Sequence, residues 1–163
     1  MGLIGKIFGA TDYSKGAVHI SGTTLCAELH KAFTFSNDFT PIQRIIMFAD
    51  RDYLVMEHGN MLAWVNKYHT SLHGFGGYIP QTLDCDDHEA MFAGDRVKGR
   101  WKSGLKSVEA IGWIDYHTKK GVFHRAAWAC SQRGGSMIWS IYQPQIGVWN
   151  DKGEVKIAVA AGA

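Results

Sequence analysis

The sequence predicts an α+β domain in which a helical N-terminal half packs on a C-terminal antiparallel β-meander. Two observations lead to this prediction. Apolar residues recur at helical spacing in the first half, and four strand-like segments follow residue 94, the first three separated by hairpin-type turns. The 163 residues suffice for one domain. We therefore expect a single domain over residues 1–163, with an N-terminal tail of about residues 1–17.

Three segments of the first half carry helix signals. TTLCAELHKAF places apolar residues at i, i+4 and i+8 after a threonine cap, and NMLAWVNKYHTSL has similar spacing after a cap at Asn60. The acidic stretch DCDDHEAMFAG predicts a short helix that ends at Gly94, because acidic residues favour a helix N-terminus. Between the first two lies QRIIMFA, which is typical of a short buried strand.

The second half is strand-like. SVEAIGWID, VFHRAAWAC, SMIWSIYQ and EVKIAVA each favour a strand, and YHTKKG and SQRGG are typical of hairpin turns between the first three. The basic segment RVKGRWKSGLK precedes them. We interpret it as a solvated loop, with contact to a polyanion as the alternative.

Composition excludes several classes of protein. The net charge of +2 is close to neutral, and no apolar run approaches the roughly 20 residues that a membrane-spanning helix needs. Three cysteines without CxxC spacing argue against a disulfide framework, so we expect Cys26 and Cys130 to be buried, reduced and unpaired. The N-terminus has no long apolar region followed by a cleavage site, and no signal peptide is expected.

Cys85 lies among the acidic residues Asp84, Asp86 and Asp87 at the predicted helix start. The helix N-terminus favours a thiolate, whereas the carboxylates disfavour a second negative charge. A counter-cation, a basic neighbour or simple burial of the thiol would each resolve this conflict.

His124 is the histidine that we expect to act with Cys85. It lies within a predicted strand whose alternation places His124, Ala126, Trp128 and Cys130 on one face. An imidazole in an apolar row needs a polar partner, and a hydrogen-bonded core histidine is the alternative interpretation. Gln143 ends the next strand, where its side-chain carbonyl could accept from the ring and fix one tautomer. A cysteine, a base and an orienting group in this order is the papain-like arrangement.

These motifs resemble a known family. LDCDDHEAMFAG, then GVFHRAAW, then IWSIYQPQIGVW are similar to the papain-like domain of mushroom agglutinins related to the fairy-ring lectin, and to transglutaminase-like cysteine peptidases found in small phage-encoded proteins. The resemblance covers roughly residues 45–149. It implies that Cys85 is the nucleophile, His124 the base, and Gln143 the residue at the position of an orienting glutamate.

The resemblance implies a cysteine peptidase or amidase that attacks a peptide or protein substrate with Cys85. The alternative is an inactive papain-like scaffold that serves as a phage virion structural or adaptor protein and binds other virion proteins. The family resemblance further implies Ca²⁺ as a possible cofactor, with Asp84, Asp86 and Asp87 as candidate ligands. The host cytoplasm or a virion is the expected location, with neither a specific nucleic-acid partner nor a transmembrane segment. A zinc site is the third alternative, although no ligand pair has finger spacing.

Overall fold

The computed structural model describes residues 11–36, 46–47, 51–69 and 85–163. In these residues nine strands form two sheets, three α-helices pack against them, and a short 3-10 helix, Lys152–Glu154, connects the last two strands. The strands are β1 (Val18–Ser21), β2 (Ile46–Met47), β3 (Asp52–Val55), β4 (Val108–Glu109), β5 (Ile111–Thr118), β6 (Phe123–Arg133), β7 (Ser136–Gln143), β8 (Val148–Asp151) and β9 (Val155–Gly162). The helices are α1 (Gly22–Ala32), α2 (His58–Tyr68) and α3 (Cys85–Ser103).

The larger sheet has six strands in the order β2-β9-β5-β6-β7-β8. Strands β5 to β8 pair antiparallel in chain order, and β9 returns to pair antiparallel with β5. Strand β2 pairs in parallel with β9 at the edge. The smaller sheet, with the order β1-β3-β4, pairs β1 with β3 antiparallel and β3 with β4 in parallel.

Side-chain alternation along β6 divides the core into two clusters. Ala126, Trp128 and Cys130 pack with residues of α1 and of the smaller sheet. Ala127 and Ala129 belong to the other cluster, with residues of α2 and α3. Because successive side chains of a strand point to opposite faces, the central strand contributes to both clusters.

The first two helices begin at side-chain caps. In α1 the hydroxyl oxygen of Ser21 accepts from the backbone N–H of Thr24, and in α2 the carboxylate of Glu57 accepts from the backbone N–H groups of Gly59 and Asn60. Both helices occur where the apolar spacing predicted them. The predicted caps were wrong by two or three residues, since Ser21 and Glu57, just before each helix, provide the caps.

Helix α3 is longer than the sequence indicated. It continues through Gly94 and through most of the basic segment interpreted as a loop, and it ends at Ser103. Its buried side includes His88, Phe92, Arg96 and Gly99, which recur at helical spacing. A Cβ atom at Gly99 would lie 2.9 Å from both Trp64 Cζ2 and Tyr68 Cβ. This glycine allows close packing of α3 on α2 and does not end the helix.

The predicted fold class is therefore wrong. The first half of the chain is not a helical layer, because it contributes β1, β2 and β3 to two sheets. Strands predominate among the described residues, and the expected papain-like description does not hold for this mostly β architecture. Short strands such as β1, with a mostly exposed side-chain pattern, lack the periodic apolar signal on which a prediction depends. None of the described helices is both long and apolar enough to cross a membrane.

Candidate functional site

A polar cluster lies at the ends of β5, β6 and β7. Tyr116 of β5 pairs with His124 of β6, and their rings are in edge-to-face contact with centroids 5.6 Å apart. Strand β6 also pairs with β7, where Tyr142 lies opposite Ala127. Because the strands are antiparallel, the next residue of β7, Gln143, lies closer than Tyr142 to the His124 end of β6. The sheet register therefore brings Tyr116, His124 and Gln143 together.

Gln143 is the centre of this cluster and is only 3% exposed. Its side-chain nitrogen donates to the hydroxyl oxygen of Tyr116 (3.1 Å) and to Oε1 of Glu154 (3.0 Å). Its oxygen Oε1 therefore faces Nε2 of His124 at 2.5 Å and accepts from it. The hydrogen bond expected between His124 and Gln143 is present in the structure.

This network fixes the tautomer of His124. Because Oε1 of Gln143 can only accept, Nε2 of His124 carries the proton and Nδ1 of the neutral ring keeps its lone pair. Gln145 Nε2 also donates to Gln143 Oε1, at 2.8 Å, so its 3.3 Å approach to His124 Nε2 brings two donors together and is not a hydrogen bond. His124 thus presents a basic nitrogen on the side of the ring away from Gln143.

Glu154 is the acceptor at the end of the network, and the sequence did not indicate it. Its carboxylate accepts from Gln143, from the hydroxyl of Tyr116 (3.1 Å) and from Asn150 Nδ2 (2.6 Å). Burial raises the pKa of Tyr116 well above its ordinary value, and the charge of Glu154 raises it further. Glu154 precedes an alternating strand and carries no motif, so only the fold reveals its position beside Gln143.

The position of Glu154 explains why residue 143 is an amide. A glutamate at 143 would place a second carboxylate about 3 Å from Glu154, and two such groups cannot both remain charged without a large cost. The amide instead donates to Glu154 and accepts from His124. Gln143 therefore joins the imidazole to the carboxylate without adding a charge.

Cys85 is the first residue of α3, as predicted, and its thiol is half-buried and free. A charge on Cys85 contributes to the raised pKa of Tyr116, after burial and Glu154. Cys85 therefore lies within electrostatic range of the ring that contacts His124, and direct contact of its thiol with His124 stays a prediction. Cys130 is buried and Cys26 half-buried, and both are free thiols.

Arg125 supplies a positive charge within electrostatic range of the acidic start of α3. Asp115 holds the Arg125 guanidinium through two hydrogen bonds of 2.5 and 2.6 Å and raises its pKa, and the carboxylates of Asp86 and Glu89 raise it further. The acidic start of α3 therefore faces a cation of the sheet.

The described residues do not fit the expected calcium site. Among them no group of three or more His, Cys, Asp or Glu side chains lies close enough to hold a metal ion. Asp86 faces Arg125, which already supplies positive charge. Asp84, the third candidate ligand, lies outside the described residues.

An open cleft of about 720 Å³ adjoins the polar cluster and has Glu154 in its wall. The turn between β5 and β6 forms one side, and the connection from β8 to β9 forms the other. The lining residues are Thr118, Lys119, Lys120, Val122, Asn150, Asp151, Gly153 and Glu154. One hydrogen bond separates the wall of this cleft from Gln143, and two separate it from His124.

Comparison with known proteins gives a structural likeness alone. No family model and no curated protein matches the sequence. Solved structures match in fold, among them the following two. The first, described as "PSL1a-E64 complex", has a TM-score of 0.67, 18% identity, and coverage of 89% of this chain and 51% of that chain. The second is a Polyporus squamosus lectin bound to the human-type influenza-binding epitope Neu5Acα2-6Galβ1-4GlcNAc, with a TM-score of 0.62, 17% identity and coverage of 89% and 49%.

These matches correct the expected family. The second matched protein is described as a lectin, and neither structure is described as a papain-like or transglutaminase-like peptidase. The expectations of a cysteine peptidase or amidase, and of an inactive virion scaffold, are thus contradicted, and nothing in the matches indicates a phage. The sequence resemblance depended on three short motifs, which is too little to define a family. At 17–18% identity the likeness establishes the fold, and the chain spans about half the length of the structures it matches.

Proposed function

We propose that residues 1–163 act as one carbohydrate-binding domain, whose ligand occupies the cleft against Glu154. The proposal is supported mainly by the fixed orientation of the polar groups at the wall of the cleft. Sugars present neighbouring hydroxyl groups that each donate and accept, and Asn150 and Glu154 offer polar groups at the cleft wall that the buried Gln143 helps to hold in place. Groups held in place before binding lose little conformational entropy when the ligand arrives.

The lining of the cleft carries two lysines and two carboxylates, Asp151 and Glu154, and the two lysines are the groups that can pair with a sugar carboxylate. Lys119 and Lys120 are exposed at its rim, where an ammonium group can pair with an anionic ligand. The sialylated epitope bound to the second matched lectin supports this choice of ligand. Because that lectin chain is about twice as long, assignment of sugar binding to this chain is part of the proposal.

We assign Cys85, His124 and Gln143 to the same site. His124 and Gln143 maintain the orientation of Glu154 through the hydrogen-bond network, and the charge interaction of Cys85 with Tyr116 supports placing the thiol near that network. In this role Gln143 and His124 are positioning residues. Asn150 and Glu154 contact the ligand directly, since both line the cleft.

The proposal is tested by calorimetric titration with Neu5Acα2-6Galβ1-4GlcNAc and with the same oligosaccharide lacking sialic acid. Asn150→Ala should weaken binding of both sugars by about tenfold, the effect of one lost hydrogen bond in a binding site. Lys119→Ala with Lys120→Ala should weaken only the sialylated sugar. Lys31→Ala is the matched control, because it removes an exposed lysine on α1 that does not line the cleft. Failure of both sugars to bind at millimolar concentration would overturn the proposal.

Alkylation tests the assignment of Cys85. Iodoacetamide should modify Cys85 much faster than Cys130, because burial raises the pKa of the Cys130 thiol to about 12. Saturating sialylated sugar should slow the modification of Cys85 in the unmodified protein but not in Asn150→Ala. Peptide mass spectrometry after timed quenching identifies the labelled cysteine. If the sugar binds but leaves the rate at Cys85 unchanged, Cys85 does not belong to the binding site.

A further inference from the structure

The outer face of α3 carries an apolar ridge that the proposed cleft does not use. Ala90, Gly94, Val97 and Trp101 follow one another at steps of four, three and four residues and are all exposed. Val97 is 56% exposed and Trp101 83%, the largest value among the exposed large hydrophobic side chains of the described chain. Large apolar side chains exposed side by side on one helix indicate an interaction surface.

Positive charges flank the same ridge. Lys98 and Lys102 lie one helical turn apart next to Val97 and Trp101, and Lys106 follows the end of the helix. In the described residues no ion pair involves Lys102 or Lys106, and Lys98 approaches Asp95 only to 3.7 Å with its side chain 72% exposed. Arg100, in contrast, points inward to Glu109.

The inner side of α3 is firmly attached, so the ridge is presented on a rigid element. Arg96 and Arg100 both bind the buried carboxylate of Glu109 on β4, with distances of 2.7 and 2.9 Å. Gly99 lies so close to α2 that a Cβ there would contact Trp64 and Tyr68. A surface held in this way can dock without the cost of ordering a helix.

We infer that this face of α3, defined by Val97, Lys98, Trp101, Lys102 and Lys106, docks on an anionic lipid membrane surface. The C-terminal part of the helix would meet the membrane, with Trp101 and Val97 among the headgroups and the lysine ammonium groups near the lipid phosphates or carboxylates. The apolar side chains and the lysines of this surface would then both contact the membrane. An anionic polysaccharide would pair with the lysines but would leave the apolar ridge exposed, so the lipid surface fits better.

The inferred orientation involves the C-terminal part of α3. Asp86 and Asp87 lie about 21 Å from Trp101 along the helix axis, at 1.5 Å per residue, so the acidic start stays away from the anionic surface. The inference is independent of the sugar-binding proposal, because no residue of the surface lines the cleft. Either proposal can fail without the other.

Vesicle co-sedimentation tests the inference directly. The protein should bind vesicles of phosphatidylcholine with about 30 mol% phosphatidylserine but not pure phosphatidylcholine, and binding should weaken as salt increases. Lys98→Glu with Lys102→Glu should weaken binding at least about tenfold, and Trp101→Ser several-fold. Lys15→Glu with Lys31→Glu changes the net charge equally at exposed positions elsewhere and is the matched control. Circular dichroism checks that each variant is folded.

Three outcomes would overturn the inference. The first is equal loss of binding in the control double variant, which would indicate general charge attraction. The second is absence of binding to the phosphatidylserine vesicles. The third is retention on a heparin column without vesicle binding, which would identify an anionic polysaccharide as the partner.

Discussion

Two polar clusters support the same β-structure, and only one of them opens to solvent. The first, on α3 and β4, joins Glu109 to Arg96 and Arg100, and Glu109 is 1% exposed. The second joins His124 through Gln143 to Glu154, which lies in the wall of the cleft. The closed cluster connects elements of the fold, whereas the open cluster has hydrogen-bonding groups available to a ligand.

The two clusters also neutralise their carboxylates differently. Two guanidinium groups surround Glu109, so its charge is compensated within the protein. The hydrogen-bond donors to Glu154 in the described residues are all neutral groups, from Tyr116, Gln143 and Asn150. The carboxylate of Glu154 is thus held by neutral donors, and a ligand hydroxyl at the cleft would add to them. Mutations at the two clusters should therefore differ in what they affect.

Glu109→Gln should have the largest effect on stability. It leaves the buried guanidinium of Arg96 without its counter-charge, which should lower the free energy of unfolding by about 3–5 kcal/mol in urea denaturation. Glu28→Gln, which breaks an exposed pair with Lys31, should cost about 0.5 kcal/mol or less.

A double variant shows whether the loss at the closed cluster comes from the unpaired charge. Glu109→Met combined with Arg96→Met removes both buried charges and should be clearly more stable than Glu109→Gln. A double variant as unstable as the single one would mean that the cluster contributes net attraction. In either case sugar binding should remain, since neither residue lines the cleft.

The closed cluster shows where sequence reasoning about the fold reached its limit. Gly94 was interpreted as the end of a helix, although an exposed glycine inside a helix costs only about 1 kcal/mol. The ion pairs of Arg96 and Arg100 and the close packing at Gly99 offset that cost, and all of them depend on β4 and α2. Hairpins were predictable because their turn signals are local. The placement of β1, β3 and β4 in a second sheet depends on contacts distant in sequence.

Gln143→Leu should have an intermediate effect on stability and a clear effect on binding. The change removes the amide that joins His124, Tyr116 and Glu154, which should lower the free energy of unfolding by about 1–3 kcal/mol. It should also weaken the proposed sugar binding, because Glu154 loses one of the groups that orient it. Urea denaturation and calorimetric titration measure the two effects on the same samples.

Gln143→Glu is the matched variant of nearly equal shape. Its carboxylate would face Glu154, so it should destabilise the protein at about pH 8 more than at about pH 5, where one of the two groups can hold a proton. Equal stability of this variant at both pH values would contradict the proximity of Glu154.

The candidate site was predicted in part from local patterns. Alternation along β6 gave the face of His124, and Pro144 marked the end of the strand that carries Gln143. Tyr116 and Glu154 were missed because their roles come from the pairing of β5 with β6 and from the return of the chain after β8. Arg125 was missed as well, since its partners Asp86 and Glu89 lie on another element.

Glu89→Gln should have the smallest effect, and it is informative because Glu89 interacts electrostatically with Arg96 of the closed cluster and with Arg125. Its carboxyl is buried, which raises its pKa above the ordinary 4.5, while Arg96 and Arg125 lower the pKa and Asp115 raises it. The folded protein therefore binds a proton at Glu89 more readily than the unfolded chain does. Stability falls as pH rises from 4.5 through the raised pKa of the folded state, and the loss persists at higher pH.

The glutamine variant removes this loss because its side chain does not ionise. Its free energy of unfolding should exceed that of the unmodified protein slightly at about pH 7 and equal it near about pH 4, in urea denaturation at matched ionic strength. Glu28→Gln, at a more exposed carboxylate, should show no such pH-dependent gain. A Glu89→Gln protein that is less stable than the unmodified one at neutral pH would mean that attraction to Arg96 and Arg125 outweighs burial. Glu89 would then belong to the closed cluster as a second counter-charge.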